Sequence, residues 1–186
     1  RPMQLASCTT RLDPPGPLRY ATSLSPRAPV GGDYLFAEPL PRGGCAVFLA
    51  DVMGHGTGAA LHTAYLHGLC SELCAWLGTP AEFLKRMNAR LCDLLSRSES
   101  FATAVVVAVD AQAHTLRAAG AGGPPPVVIG RDGAACEVAA AGLPLGMVAG
   151  GAPVAREYPF GPGDVMVLCT YGLSEAVGGS DGLASV

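Results

Sequence analysis

The sequence predicts an α+β domain in which helices cover largely antiparallel sheets. Three observations support this class: strand-like segments open the chain, two consecutive helical segments follow, and strand-like segments then resume. This order differs from the regular alternation of strands and helices that produces a parallel sheet. The 186 residues suffice for one domain with a buried core. We expect residues 18–186 to form it, and the proline-rich residues 1–17 to be a linker or the remnant of an upstream segment.

The first strands are expected at 19–25, 34–38 and 45–51. Proline and glycine residues between the last two predict a turn, so these two strands should be neighbours in one sheet. The segment 45–51 is apolar up to its final aspartate, as expected for a central strand.

Helical periodicity begins after Gly58. The predicted core-facing stripe of the first helix contains Leu61, Tyr65, Leu69, Leu73 and Trp76. Gly78 ends this helix, and Thr79-Pro80-Ala81-Glu82 predicts a capping box that begins a second one. The stripe of the second helix contains Phe83, Met87, Leu91 and Leu94. Strands then resume between glycine and proline turns at 101–110, 115–119, 127–129, 134–138, 154–158 and 164–170.

Composition and charge argue against several functions. The chain is 49% hydrophobic and 15% charged, as in a globular protein. Its net charge of -3 predicts no nucleic-acid-binding face, and the sequence has neither a leader nor an apolar run typical of membrane insertion. The seven cysteines include no Cys-x-x-Cys pair, which favours free thiols in a reducing, cytoplasmic compartment. Cys70 and Cys74 share a helical face and are predicted to be buried.

Asp33 and Asp51 are the candidate functional residues. Each stands beside glycines at the end of a predicted strand, in Gly31-Gly32-Asp33 and in Asp51-Val52-Met53-Gly54-His55-Gly56. Such carboxylates are typical ligands of Mg²⁺ or Mn²⁺, and Gly54 and Gly56 allow a sharp turn that directs a carbonyl near Val52 toward the same ion. Two alternatives stay open: Asp51 could cap the following helix, and Asp33 could belong only to a turn.

The loop after Asp51 has further interpretations. His55 could act as a general acid, although a role in shaping the turn is favoured. The glycines also suggest a dinucleotide-binding loop, but a second helix follows the first and no βαβ return is predicted, which disfavours that alternative.

Six short motifs occur in order between about residue 18 and residue 177 and resemble one known family. They are Val30 to Tyr34, Ala50 to Gly56, Ala59 to Leu61, Ala121-Gly122 with Pro124 to Pro126, Gly142 to Gly146, and Thr170 with Gly172 to Ala176. Together they resemble the stage II sporulation protein E type phosphatases, bacterial relatives of protein phosphatase 2C that act in partner-switching control of sigma factors.

The resemblance implies an α/β/β/α sandwich and a serine/threonine phosphatase with a two-metal centre of Mn²⁺ or Mg²⁺. By resemblance, Asp33 would bind the second metal, Asp51 would bridge both, and the Val52 carbonyl would complete the first. A water bridging the ions would attack phosphorus. The substrate would be a phosphoprotein such as an anti-sigma-factor antagonist, and a sensor or receiver segment would precede the domain in the full protein.

The chain departs from the family pattern at the metal ligands. The family motif Thr-Asp-Gly is replaced by Thr170-Tyr171-Gly172, and a neutral phenol is a poor ligand for a hard cation. The further metal-binding aspartate of the family has no counterpart before Val186, so the domain is expected to be C-terminally incomplete. The alternative function is therefore that of an impaired pseudophosphatase, a regulatory module that binds a protein partner.

Overall fold

Two antiparallel sheets, a pair of long helices and one short helix make up the computed structural model, which describes residues 16–23, 31–54, 56–95, 100–151 and 153–176. The strands are β1 (Asp33–Leu40), β2 (Gly44–Val52), β3 (Ala102–Asp110), β4 (Thr115–Ala121), β5 (Val127–Ile129), β6 (Ala135–Glu137), β7 (Arg156–Pro159) and β8 (Val165–Val167). The helices are α1 (Thr57–Leu73), α2 (Pro80–Leu95) and the short α3 (Tyr171–Ala176). The predicted α+β class, with consecutive helices between groups of strands, is confirmed.

The larger sheet has the strand order β1-β2-β3-β4-β7, and the smaller one has the order β6-β5-β8. Every pairing of neighbouring strands in the two sheets is antiparallel. A tight hairpin joins β1 to β2, where Arg42 and Gly43 take left-handed φ angles of 60° and 70°. The turn from β3 to β4 is closed by the Asp110 carboxylate, which accepts the backbone N–H groups of Gln112 and Ala113. These two turns fix the register of the strands that carry the site.

Alternating side chains of the larger sheet supply two cores. On β3, Ala104 and Val106 face α1 and α2, whereas Val105 and Val107 face the smaller sheet. The core beneath the helices also contains large buried side chains of β1, β2 and α2, among them Tyr34, Phe48, Phe83 and Met87. The residues that the structure describes therefore form three layers, with the larger sheet in the middle.

The predicted stripe of α1 is partly wrong. Leu69 and Leu73 are buried, but Leu61 is 71% exposed, and Tyr65 and Trp76 are also exposed. The apolar and small residues of this helix lie on several faces, so periodicity alone does not determine which face meets the sheet. The contacting face instead includes the fully buried Leu66 and Cys70, and Leu77 is fully buried after the helix has ended.

Three further expectations need correction. No strand forms in residues 19–23. Their side chains are exposed, and the Arg19 guanidinium donates to the carbonyls of Gly16 and Leu18. Residues 24 and 25 lie outside the described part. Cys74 is exposed, because it follows the end of α1 in a short 3-10 turn. Leu94, near the end of α2, is 36% exposed.

The start of α2 at Pro80 agrees with the predicted capping box, but the bonds of that box differ. The Thr79 hydroxyl donates to the carbonyl of Trp76 at 2.8 Å, which closes the preceding turn. The Glu82 carboxylate pairs with the guanidinium of Arg86 at 2.8 Å. Both side chains therefore stabilise the interhelical turn and the first turns of α2 without the reciprocal capping bonds.

Candidate active site

Asp33 and Asp51 lie directly opposite each other on β1 and β2. The Val52 N–H donates to the Gly32 carbonyl at 3.1 Å, so Gly32 and Val52 form a hydrogen-bonded pair. The next pair, Asp33 and Asp51, is then of the non-hydrogen-bonded kind, in which side chains approach most closely. The prediction that the two aspartates stand on adjacent strands is confirmed.

Both aspartates are half-buried and share the face of the sheet that looks toward β5, β6 and β8. Their sequence neighbours Tyr34, Ala50 and Val52 belong to the core beneath the helices, and side chains alternate along a strand. Two like charges directly opposite on one face repel each other. A divalent cation between them would turn this unfavourable pair into a ligand pair.

Gly32 makes room for the oxygen atoms beside it. A Cβ atom at this position would lie 2.3 Å from the Val52 carbonyl oxygen and 2.9 Å from Oδ1 of Asp51. The two oxygens thus converge on one point of the backbone, which only glycine permits at this separation. The Val52 carbonyl lies on the β1 side of β2, toward the strand that carries Asp33.

Asp51 is not the cap of α1. It belongs to β2, whereas α1 begins at Thr57 with Gly56 as its N-cap and without a side-chain capping bond. Gly54 and Gly56 have φ angles of 105° and 76°, which agrees with the sharp turn expected after β2. His55 lies outside the described residues, and the site-shaping roles of all three residues stay predictions.

A small cleft of about 10 Å³, roughly the space of one water, lies next to Asp51. Its lining includes Thr103 from β3, Gly123 and Thr170. Thr103 is the register partner of Asp51, and its hydroxyl lies 3.5 Å from the Asp51 carbonyl. Thr103 could not be predicted from the sequence, because its place beside Asp51 depends on a β2–β3 register that no local pattern reveals.

Thr170 brings the last sequence motif to this end of the sheets. Tyr171 follows it as the first residue of α3 and is 46% exposed. The residue that replaces the expected aspartate therefore comes directly after a residue of the cleft. Within the ranges that the structure describes, no three His, Cys, Asp or Glu side chains come together as a metal-binding group.

These donors fit one hard divalent cation. Two carboxylates and a carbonyl are the oxygen ligands that Mg²⁺ and Mn²⁺ prefer, and the close approach at Gly32 leaves their oxygens unobstructed by a side chain. The described residues do not supply the additional carboxylates of a two-ion centre. The site thus contains half of the metal-binding carboxylates that the sequence resemblance implies.

Tyr34 anchors the start of β1 to α1. Its buried hydroxyl lies 3.0 Å from Nδ1 of His67, and its ring meets the rings of Phe48 and His67 edge to face. Burial raises the pKa of the nearby Cys70 thiol, so that thiol stays protonated. Asp33, the residue before Tyr34, therefore extends from a firmly held strand.

Solved structures with the same fold include phosphatase domains. The SiaA-PP2C domain of Pseudomonas aeruginosa is 24% identical with a TM-score of 0.66, over 76% of this chain and 56% of that one. The PP2C phosphatase domain of SpoIIE from Bacillus subtilis, solved with a fragment of its regulatory domain, is 20% identical with a TM-score of 0.67, over 81% and 44%. The fold is therefore that of the PP2C-type phosphatase domains.

The RsbU and RsbW domains of Rv1364c from Mycobacterium tuberculosis are 27% identical with a TM-score of 0.68, over 80% of this chain and 41% of that one. This chain spans less than two thirds of each of these three structures. The family model described as Stage II sporulation protein E (SpoIIE) matches residues 41–185. The chain belongs to this family of PP2C-type phosphatases.

No curated protein matches this chain significantly in sequence. Among the described residues, no helix combines the length and apolar character needed to cross a membrane.

Proposed function

We propose that this domain is a metal-dependent serine/threonine protein phosphatase. The observation that carries the proposal is the facing pair Asp33 and Asp51 beside the glycine-lined Val52 carbonyl, in a chain of the SpoIIE family. The side-chain oxygens of the two aspartates and the main-chain oxygen of Val52 would hold Mn²⁺ or Mg²⁺. When bound, the cation supplies an acidified water and neutralises charge on the phosphoryl oxygens.

The residues of the chain contribute position and access. β1 and β2 hold the carboxylates at a separation set by the sheet, which preorganises them for an ion. Thr103 and Thr170 line the small cleft beside Asp51, which has about the volume of one water. No described side chain is needed as a nucleophile in this scheme.

The proposed substrate is a phosphoprotein, in the first place a phosphorylated anti-sigma-factor antagonist. The likeness to a structure that contains RsbU and RsbW domains supports a role in partner switching. All six cysteines of the described ranges are free, which supports a reducing, cytoplasmic setting. A sensor or receiver segment in the full protein would control the activity.

Tyr171 favours a second candidate function, that of a pseudophosphatase. A neutral phenol after Thr170 leaves the cation with fewer anionic ligands than the family provides. Such a domain would keep the fold and bind its protein partner without releasing phosphate. The two candidates differ in a single measurable property, which is turnover.

Release of phosphate from a phosphoserine protein, measured over a series of Mn²⁺ and Mg²⁺ concentrations, tests the proposal. We expect release that depends on the metal and is abolished by Asp51→Asn, with exposed Asp93→Asn on α2 as the control that leaves it unchanged. Absence of release at every metal concentration, together with partner binding that survives Asp51→Asn, would favour the pseudophosphatase instead.

A further inference from the structure

Asn88 on α2 has a buried polar side chain, with 6% of its surface exposed. Both ends of its amide are used. Nδ2 donates to the Val148 carbonyl at 2.9 Å, and Oδ1 accepts the Gly146 N–H at 2.8 Å. Because a backbone N–H can only donate, the bond from Gly146 fixes which end of the amide is the oxygen.

The segment that Asn88 holds has no regular secondary structure of its own. Between 141 and 150 the chain forms turns and a single β-bridge, and Gly146 has a φ angle of 83°. Buried backbone groups in such a segment need partners from elsewhere in the fold. Asn88 provides a donor and an acceptor at once, which neither an aliphatic side chain nor an ionised carboxylate can do.

The segment that Asn88 holds is attached to the end of the larger sheet that carries Asp33 and Asp51. Leu145 exchanges two backbone hydrogen bonds with Ala102, of 3.0 Å and 2.8 Å, at the first residue of β3. Ala102 is in turn the register partner of Val52, whose carbonyl is a candidate ligand. Three contacts therefore lead from the Asn88 amide to the end of β2: Asn88 with Gly146, Leu145 with Ala102, and Ala102 with Val52.

Close packing leaves this segment little freedom on its other side. A Cβ atom at Gly122 would lie 2.6 Å from the Pro144 ring, and one at Gly142 would lie 2.2 Å from the Gly120 carbonyl oxygen. The segment is therefore pressed against the end of β4 while Asn88 fixes it from the helical layer. A displacement of the segment would be transmitted to Ala102, because this end of the sheet is closely packed and does not deform freely.

We infer that Asn88 is a positioning residue: its amide holds residues 145–148 against the start of β3 and thereby fixes the end of β2 that carries Asp51 and the Val52 carbonyl. The part of this inference that concerns the cation rests on the proposed function. Asn88 touches neither the candidate ligands nor the cleft, so it acts only through the segment.

Hydrogen exchange in the full chain tests the inference without any metal. In Asn88→Ala, the amides of Leu145 and Ala102 should exchange at least about tenfold faster relative to that of Val106 in the centre of β3. Leu84→Ala, which also removes a buried α2 side chain, should leave this ratio unchanged. Asn88→Asp, close in volume, should produce a smaller increase, because it keeps the acceptor for Gly146 and loses the donor to Val148. Asn88→Asp also serves as the test if Asn88→Ala does not fold.

A metal titration of the same proteins provides the second readout. Asn88→Ala should weaken Mn²⁺ binding, by at most the roughly tenfold that loss of a residue bonded directly to a ligand causes, whereas Leu84→Ala should not. An unchanged exchange ratio in both Asn88 variants would overturn the positioning role. If the unmodified protein binds no Mn²⁺, the proposed function fails, and the exchange ratio still decides the role of Asn88.

Discussion

Gly32→Ala should damage the site directly, because the added methyl group meets two candidate ligand oxygens. The new carbon would lie 2.3 Å from the Val52 carbonyl oxygen, about 1 Å closer than an ordinary van der Waals contact, and 2.9 Å from Oδ1 of Asp51. Val52 cannot yield easily, because its N–H is bonded to the Gly32 carbonyl and its strand is paired on both sides. Overpacking of this kind destabilises a fold by about 1–3 kcal/mol.

Gly31→Ala is the matched control for this change. A Cβ atom at Gly31 has no atom within 4 Å, and its φ angle lies outside the left-handed region. Alanine there should be neutral or slightly stabilising, because it only restricts the unfolded chain. The two variants therefore add the same methyl group at adjacent positions and differ only in what it meets.

Thermal and urea unfolding of both variants measure the effect. We expect Gly32→Ala to lower the melting temperature by roughly 2 to 12 °C in a chain of this length, and to weaken Mn²⁺ binding measured well below that temperature. Equal stability and equal Mn²⁺ affinity of the two alanine variants would refute the argument that Gly32 is required by the convergence of the two oxygens.

Three more expectations concern Tyr171, Tyr34 and Cys45. Tyr171→Asp restores the family carboxylate and should strengthen Mn²⁺ binding by roughly tenfold, whereas Tyr171→Phe should not; equal affinities of the two variants would count against a lost ligand at this position. Tyr34→Phe removes the hydroxyl that lies 3.0 Å from His67 and also bonds the Cys70 thiol. It should lower the unfolding free energy by about 1 kcal/mol in urea titrations, and no loss would show that these bonds add nothing. Burial, with a smaller effect of nearby Glu38, raises the pKa of Cys45 from 9.0 to about 11. The unfolded chain therefore releases this proton first, so the unfolding free energy should fall as the pH rises from 9.0 toward 11, and Cys45→Ala should flatten this part of the curve.

Local sequence signals were enough to locate the two aspartates. Glycine before Asp33 and after Asp51 marks the ends of apolar segments, and both strands formed where alternation and turn residues predicted them. The site also needs a register, and the short β1–β2 hairpin supplied it. A two-strand hairpin is determined within a few residues of sequence, which is why this pair could be predicted.

Features that depend on distant parts of the chain could not be predicted in this way. Thr103 pairs with Asp51 through a β2–β3 register that no local pattern reveals, and the motif that contains Thr170 does not show that Thr170 lines the same cleft. The same holds for α1, where exposed Leu61 and buried Leu66 are chemically identical. Only the position of the sheet beneath the helix distinguishes them, and hydrophobic periodicity does not contain that information.

Calorimetric titration with Mn²⁺ tests most directly whether the facing aspartates Asp33 and Asp51 bind a metal ion. The unmodified protein should bind the ion saturably, Asp33→Asn and Asp51→Asn should each weaken binding by roughly a hundredfold, and exposed Asp93→Asn should leave it unchanged. Binding that is equally tight in Asp51→Asn and in the unmodified protein, or no binding of Mn²⁺ or Mg²⁺ at all, would contradict the assignment of this pair as the metal site.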